Sequence, residues 1–203
     1  MAVITISRQF GAGGRDLGER LAKRIGYRLV DEDMLEQVAS KAKVSPEGVL
    51  SFEKSGGSKL MKFLDSLISK KFIDRVLSEE RGYIDADRYV GVVREVILEL
   101  HKQGDVIILG RGGQYILQNQ PNTLHVLLVA DRKHREQFLI EKYRVTERVA
   151  AQAIAREDRQ RTLFLNCFST ENHDAPLLYD LVINTGRLGM SKTEELIVKL
   201  LNV

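Results

Sequence analysis

Short apolar segments alternate with amphipathic stretches along most of the chain. Leu17, Leu21 and Ile25 recur at helical spacing and stop at Gly26, as in an amphipathic helix that is closed by a glycine. Runs rich in valine and isoleucine, with the length and composition of buried strands, occupy residues 3–6, 29–30, 106–109, 126–129 and 181–183. This alternation of strand and helix predicts an α/β fold in which helices flank a parallel sheet.

Two intervals interrupt the alternation. Residues 33–103 show helical periodicity, no convincing strand and a flexible break at Ser55-Gly56-Gly57-Ser58, which together predict a helical insertion. Residues 163–178 are irregular and predict a loop or lid. We therefore expect a single domain over residues 1–203, with the insertion at 33–103 and a lid region at 156–178.

Two helix starts carry capping signals. Thr146 precedes a helical segment and is a good N-cap residue. Ser191 is followed three residues later by Glu194, which is the spacing of a capping box at the start of the last helix.

Composition narrows the classes of function. A formal charge of +3 on 203 residues is too small to indicate a nucleic-acid partner. Cys167 is the one cysteine of the chain, which excludes an internal disulfide and a cysteine zinc cluster and fits a reducing compartment. The N-terminus has no basic-then-apolar leader, and no apolar run approaches the ~20 residues that span a bilayer. We expect a cytoplasmic protein without a membrane partner.

A glycine-rich turn, SRQFGAGGRD, follows the first predicted strand and opens the first predicted helix. Glycines let the backbone bend so that several N–H groups and a helix N-terminus point at one anion. Arg8 and Arg15 add positive charge. The turn therefore indicates phosphate binding, and the alternative is a tight strand-to-helix turn without a ligand.

Chemistry-bearing residues also follow other predicted strands, where ligands of parallel sheets bind. Asp31 opens a run of three carboxylates, although helix capping is a sufficient reason for such a run. Arg111 stands between glycines and suits bidentate phosphate recognition, the alternative being a solvated turn arginine. Arg156 and Arg159 share a helix face and suit closure over a phosphoryl group, whereas exposed helix ends commonly carry such charges.

These segments together carry a family resemblance over nearly the full length. The matching segments are SRQFGAGGRDLGERLAKRIG, YRLVDEDML, VIILGRGGQYIL, HVLLVADRKHRE, REDRQR and YDLVINTGRLG. The chain resembles the nucleoside monophosphate kinase branch of P-loop proteins, and most closely the cytidylate kinase-like family. The resemblance implies a three-layer P-loop NTPase-like fold with about five parallel strands, a helical acceptor-binding insertion and an arginine-rich lid.

The resemblance also implies roles for individual residues, with ATP and Mg²⁺ as cofactors and nucleotides as partners. The phosphates of the donor nucleotide would be bound by Arg8, Gly11, Ala12, Gly13, Gly14, Arg15 and Asp16. Asp31 and Arg111 would contact the acceptor, and Asp16 would contact the metal. The charge that develops during transfer would be stabilised by Arg15, Arg156, Arg159 and Arg161. The expected reaction is phosphoryl transfer from ATP to a nucleoside monophosphate such as CMP.

One departure from the P-loop pattern leaves alternatives open. The usual loop ends in Gly-Lys followed by Ser or Thr, with the lysine on the donor phosphates and the hydroxyl on magnesium. Here Gly14 stands in place of the lysine and Asp16 in place of the hydroxyl. A nucleotide-binding sensor or regulatory protein without kinase activity is therefore the alternative function, and a kinase with a different small acceptor is a third. Homo-oligomer formation stays open as well.

Overall fold

The computed structural model describes residues 2–31 and 84–201, with side chains from residue 90 in the second range. The chain divides into two compact units: residues 1–31 with 104–203 form one, and residues 32–103 form the other. Most of the predicted insertion at 33–103 therefore lies outside the described residues. Its described part is a helix at Ile84–Gln103.

Strands and helices alternate through the first unit. Its strands are β1 (Val3–Arg8), β2 (Arg28–Val30), β3 (Val106–Leu109), β4 (Thr123–Val129) and β5 (Leu181–Asn184). The helices, numbered along the whole chain, are α1 (Gly14–Ile25), α2 (Ile84–Gln103), α3 (Gly113–Ile116), α4 (Arg132–Tyr143), α5 (Glu147–Leu165), α6 (Thr185–Leu188) and α7 (Met190–Leu201). A 3₁₀ turn at Pro176–Leu178 precedes β5.

The five strands form one parallel sheet in the order β2-β3-β1-β4-β5. All five predicted strands and the α/β class are confirmed. Because β1 is the central strand, the loop that follows it leaves the middle of the carboxyl edge. That edge is where ligands bind in open parallel sheets.

The two faces of the sheet differ in character. Ile4 and Ile6 of β1 belong to a buried apolar cluster with Leu17 and Leu21 of α1, and α7 adds Ile197 to it. The opposite face is partly polar, because alternate residues of a strand point to opposite sides and Thr5 and Ser7 of β1 are buried there. The N-terminus of α3 lies against Thr5 on this second face. Helices therefore cover both faces, which gives the predicted three layers.

Two helix ends match their sequence signals. Gly26 closes α1 in the left-handed conformation, with φ 73° and its N–H donated to Ala22 O. Thr146 caps α5, and its hydroxyl accepts the N–H of Val149. None of the helices within the described ranges, α2 included, combines the length and apolarity that a bilayer crossing requires.

The predicted capping box of the last helix is wrong. Ser191 lies inside α7, which begins at Met190, and the carboxylate of Glu194 accepts from Arg20 Nε at 2.7 Å and Arg24 Nη1 at 3.1 Å. These hydrogen bonds, that of Arg20 above all, lower the pKa of Glu194. A contact between α1 and α7 has thus replaced the local cap.

His125 is a buried titratable group on the polar face of the sheet. Its Nδ1 lies 2.7 Å from Thr5 Oγ1, and the residue is 7% exposed. Burial lowers the pKa of His125, and the nearby Asp180 carboxylate opposes that shift. The folded state therefore favours a neutral imidazole.

This burial makes the stability of the fold dependent on pH. In the unfolded chain the pKa of His125 returns to about 6.5, so the unfolded state takes up the proton first as the pH falls. The contribution of His125 is complete above that value and is lost below it, by at most about 1.4 kcal/mol per pH unit for one proton. Urea unfolding at about pH 7.5 and about pH 5.5 measures the loss. His125→Gln should reduce the pH dependence, and an unchanged dependence in that variant contradicts the assignment.

Candidate functional site

The turn between β1 and α1 lies at the carboxyl edge of the sheet. Gly11 and Gly13 have φ values of 85° and 79°, in the left-handed region that disfavours a Cβ. Gly13 is also the N-cap of α1 and offers no side-chain cap. A Cβ at Gly13 would meet the flexible end of the Met190 side chain, which can move, so the positive φ is what favours glycine there.

The amides of this turn form an open set of donors. Ala12 donates its N–H to Gln9 O at 3.1 Å, so the predicted phosphate contact through that amide is already used. Within residues 2–31 and 84–201, no acceptor is recorded for the N–H groups of Gly11, Gly13 and Gly14. Unpaired amides at a helix N-terminus, together with the positive end of the helix dipole, attract an anion. The turn therefore offers the donors that an anion site needs.

An ion pair holds the turn from outside. The backbone N–H of Phe10 donates to Asp158 Oδ1 at 3.2 Å, and its carbonyl accepts from Arg135 Nη1 at 3.2 Å. Arg135 Nη1 and Asp158 Oδ2 are themselves 2.7 Å apart. Arg135 belongs to α4 and Asp158 to α5, so both backbone polar groups of one loop residue, Phe10, are fixed by two helices.

Residues of the first turn of α1 form three further ion pairs. Arg15 Nη2 lies 2.9 Å from Asp31 Oδ2, and its Nε lies 3.5 Å from Glu19. Asp16 pairs with Lys142 of α4. Burial lowers the pKa of Lys142, and the positive charge of Arg15 adds to that shift. Arg15 and Asp31, which were predicted for the donor and the acceptor, are thus brought together.

Asp16 is the predicted metal ligand. Within the described part of the chain, no group of three histidine, cysteine or acidic residues could hold a metal ion. Mg²⁺ in nucleotide sites is usually bound by one or two carboxylates and the substrate phosphates. Among the described residues, a Mg²⁺ ion would therefore have to be held largely by the phosphates of a nucleotide, with Asp16, which pairs with Lys142, as the predicted carboxylate.

Arg161 lies beside the end of β1. Its Nη2 donates to Ser7 Oγ at 3.0 Å and lies 2.8 Å from Asp174 Oδ1. Asp174 also accepts from Gln9 Nε2 at 3.0 Å. The Arg161 side chain is 18% exposed, so a mostly buried guanidinium group adjoins the glycine turn.

The other two arginines predicted for catalysis face solvent. Arg156 is 71% exposed and pairs with its neighbour Glu157 at 2.8 Å, and Arg159 is exposed. Residues three apart share a helix face and residues two apart do not. Arg161 therefore lies on the helix face of Asp158 and not on that of Arg159. These positions lie in the body of α5, which continues to Leu165, and the irregular part of the predicted lid begins after it.

Arg111, which is predicted to contact the acceptor, has an unusual backbone. Gly110, Arg111 and Gly112 have φ values of 77°, 52° and 73°, so three consecutive residues are left-handed. For a residue with a Cβ this conformation costs roughly 1–2 kcal/mol. The guanidinium group lies 5.0 Å from the centre of the Phe164 ring, and the Phe168 ring fills the space where Gly112 lacks a side chain.

The segment after α5 is tied to the same edge through His173. His173 Nε2 lies 2.9 Å from Asn166 Oδ1, and Nδ1 lies 2.7 Å from the Tyr115 hydroxyl. Because the Asn166 oxygen accepts, Nε2 carries the proton and Nδ1 accepts from Tyr115. Burial and, after it, the charge of Arg161 lower the pKa of His173, which matches this neutral form.

Sequence reasoning missed several residues that surround the turn. They come from distant parts of the chain and are Gln9, Arg135, Lys142, Asp158 and Asp174. The sequence contains one signal for them. Asp158 stands four residues after Ile154 and three before Arg161, which is helical spacing for one inward face. Which loop that face contacts depends on the tertiary packing.

The sheet order, and a glycine turn that leaves the central strand and opens a helix, are those of a P-loop NTPase-like fold. The chain belongs to the cytidylate kinase-like family, whose sequence profile matches residues 3–187. This confirms the predicted family. Membership in a kinase-like family supports phosphotransfer as the class of function.

Solved structures show the same fold. An uncharacterized protein from Eubacterium ventriosum has a TM-score of 0.68 at 19% identity, covering 100% of this chain and 99% of that one. Shikimate kinase from Bacteroides thetaiotaomicron has a TM-score of 0.52 at 14% identity, with coverage of 100% and 99%. Shikimate kinase from Acinetobacter baumannii, in complex with shikimate, has a TM-score of 0.52 at 13% identity, with coverage of 100% and 93%. At these identities the likeness establishes the fold.

A segment of the chain also matches a curated protein that is named for a different kind of activity. It is 33% identical over 103 residues to a uronate isomerase from Corynebacterium glutamicum, which covers 51% of this chain and 20% of that protein. The chain thus spans a fifth of the length of the curated relative that it matches.

The left-handed backbone of Arg111 predicts an inverted order of stability between two substitutions. Arg111→Gly should be more stable than Arg111→Ala by about 1 kcal/mol, because glycine adopts positive φ without the Cβ clash. At Arg148, an exposed position in α5, the order should reverse by about the same amount because alanine favours a helix. Chemical unfolding of the four variants measures both differences. Equal stability of the two Arg111 variants would contradict the strained conformation.

Proposed function

We propose that the protein transfers the terminal phosphoryl group of ATP, with Mg²⁺, to a nucleoside monophosphate, most simply CMP. The observation that carries the proposal is the set of amides at Gly11, Gly13 and Gly14 for which the described residues offer no acceptor, in a turn whose preceding residue Ser7 contacts the guanidinium group of Arg161. Amides of this kind bind the phosphates of a nucleotide. The family to which the chain belongs supports the same class of reaction.

The acceptor side of the proposal rests on the residues that follow β2 and β3. Arg111 is held at a strained backbone position, and such strain clusters at ligand-binding sites. Its guanidinium group is oriented by the Phe164 ring and suits the phosphate of a monophosphate. Asp31 supplies a carboxylate for a base or sugar group, and Arg15 holds that carboxylate in place.

The proposed chemistry needs no side-chain nucleophile. A phosphate oxygen of the acceptor bonds to the γ-phosphorus, while the bond from that phosphorus to the β–γ bridging oxygen breaks and ADP leaves. The acceptor oxygen is already anionic, so no proton has to be removed first. Mg²⁺, when bound, neutralises charge on the β- and γ-phosphates. The protein aligns the two substrates and stabilises the charge that spreads over the transferred group.

Arg161 is the arginine best placed for that stabilisation. In the unliganded arrangement its charge is balanced by Asp174, which Gln9 also holds. A phosphoryl group has three oxygens to offer in place of one carboxylate, so it competes well for the same guanidinium. Arg156 and Arg159 lie on the other side of α5 and would act after a rearrangement of that helix.

A second candidate function is nucleotide binding without transfer. Gly14 stands where the P-loop lysine is expected, and that observation favours a sensor or regulatory protein. A missing charge-assisted contact weakens binding by about ten- to a hundredfold. The loss of that contact affects transfer as well as binding, so the two functions differ in turnover and not in the site they use.

Purified protein with ATP, Mg²⁺ and a panel of nucleoside monophosphates tests the proposal. We expect ADP to form only when an acceptor is present, and a pyrimidine monophosphate to be the best acceptor. Calorimetry with MgATP on the same preparation separates the alternatives. Tight binding with no turnover on any acceptor overturns the kinase proposal in favour of the sensor.

Two arginines on α5 provide the matched comparison for this assay. Arg161→Ala should lower kcat by about 10³-fold or more, because one transition-state arginine contributes about 10³–10⁵ in rate. Arg148→Ala removes the same charge at an exposed position near the start of the helix and should change kcat by less than about twofold. Equal activity of the two variants would remove Arg161 from the reaction.

A further inference from the structure

The glycine turn departs from the P-loop pattern at two positions, and at these positions a glycine and a cation have changed places. The P-loop pattern is G-x-x-x-x-G-K-[ST], with the lysine next to the second glycine. When Gly13 is taken as that second glycine, the first glycine falls on Arg8 and the lysine on Gly14. The motif therefore keeps one glycine and one cation at these two ends, but in reverse order.

The structure brings these two positions into contact. Arg8 is the last residue of β1 and shares a strand face with Ile4 and Ile6, the face that α1 covers. A Cβ at Gly14 would lie 2.9 Å from Arg8 Cγ, 3.2 Å from Cδ and 3.3 Å from Cβ. The aliphatic stem of Arg8 thus lies where the side chain of residue 14 would begin.

The backbone gives no reason for a glycine at position 14. Gly11 and Gly13 are left-handed, whereas Gly14 is the first residue of α1 and has no positive φ. The contact with Arg8 supplies the reason. A side chain at position 14 would require Arg8 to rotate Cγ and Cδ away and would still meet Arg8 Cβ at a tight 3.3 Å. Long side chains at positions 8 and 14 therefore compete for the same space.

We propose that Arg8 takes the role of the missing P-loop lysine and binds the terminal phosphates of the donor nucleotide. Gly14 is glycine because the stem of Arg8 crosses the start of α1 at that point. In this proposal the Arg8 charge reaches the helix N-terminus from the strand and not from the helix. Arginine also offers a planar fork that matches two phosphate oxygens. This inference rests on the donor site of the proposed function.

Two other cations near the turn are weaker candidates for this role. Arg15 has a side chain that is 56% exposed and lies between Asp31 and Glu19. Lys142 is paired with Asp16. The Arg15 and Lys142 side chains are directed to carboxylates on α1 or at the end of β2. Apart from residues adjacent in the chain, the three atoms nearest to a Cβ at Gly14 all belong to Arg8.

A double-substitution cycle tests the exchange. The proteins are the wild type, Arg8→Ala, Gly14→Lys and the double variant Arg8→Ala/Gly14→Lys, with Arg148→Ala as the control for the loss of one charge. Calorimetry with MgATP, thermal unfolding without ligand and turnover on the best acceptor are measured for each. Arg15→Ala and Lys142→Ala are included as the rival sources of the cation.

The cycle predicts a loss of MgATP affinity or of Tm in each single variant and a recovery of both in the double variant. Arg8→Ala should weaken MgATP binding by about ten- to a hundredfold. Gly14→Lys should lower Tm by roughly 2–12 °C because the new side chain overpacks against the Arg8 stem. The double variant should recover most of the lost Tm and most of the lost affinity, since its lysine stands in the usual P-loop position. Arg148→Ala should bind MgATP like the wild type.

The outcomes separate this inference from the proposed function. Unchanged MgATP affinity in Arg8→Ala, or a larger loss in Arg15→Ala or Lys142→Ala, overturns the role of Arg8 even if the wild type is an active kinase. Failure of the double variant to recover affinity above the level of Arg8→Ala also overturns it. Recovery of affinity in a protein that turns over no acceptor supports the exchange and removes only the kinase activity.

Discussion

The open N-terminus of α1 is the constraint on which the site depends. A helix begins with N–H groups that have no partner within the helix, and a side-chain cap usually satisfies one of them. Here the cap position is Gly13, which has no side chain, and the amides of Gly11 and Gly14 are also without a recorded acceptor among the described residues. The clamp that Arg135 and Asp158 place on Phe10 holds the turn in this conformation. The fold therefore maintains a set of donors that a phosphate chain can satisfy.

Four cations around the turn each have a carboxylate partner. The pairs are Arg15 with Asp31, Lys142 with Asp16, Arg161 with Asp174 and Arg135 with Asp158. A ligand that enters such a site exchanges carboxylate oxygens for its own, so the net gain depends on how much charge it brings. A polyphosphate gains more from this exchange than a singly charged anion does. On the proposed function, a polyphosphate is therefore preferred to a simple anion without a base-specific contact.

Much of the fold was accessible from the sequence, because each strand contains a short run rich in valine, isoleucine or leucine, and most of β1, β3 and β4 is buried. The site was less accessible. Arg156, Arg159 and Arg161 are equivalent as members of a basic run, and only the packing of α5 brings Arg161 to Ser7. The capping box at Ser191 failed for a similar reason, since arginines from α1 compete for the same glutamate. Local sequence patterns predicted the helices and strands. The contacts of Arg161 with Ser7 and of Arg20 with Glu194, by contrast, join residues more than a hundred positions apart and depend on the tertiary packing.

Titration of ¹⁵N-labelled protein with MgATP, followed through the backbone amide resonances, tests the central claim most directly. The account predicts that Gly13 and Gly14 show the largest shifts, that these shifts saturate together, and that inorganic pyrophosphate reproduces them in part because the donors recognise phosphate. Saturable binding of MgATP that leaves both glycine amides unmoved, with the shifts clustered elsewhere, would contradict it.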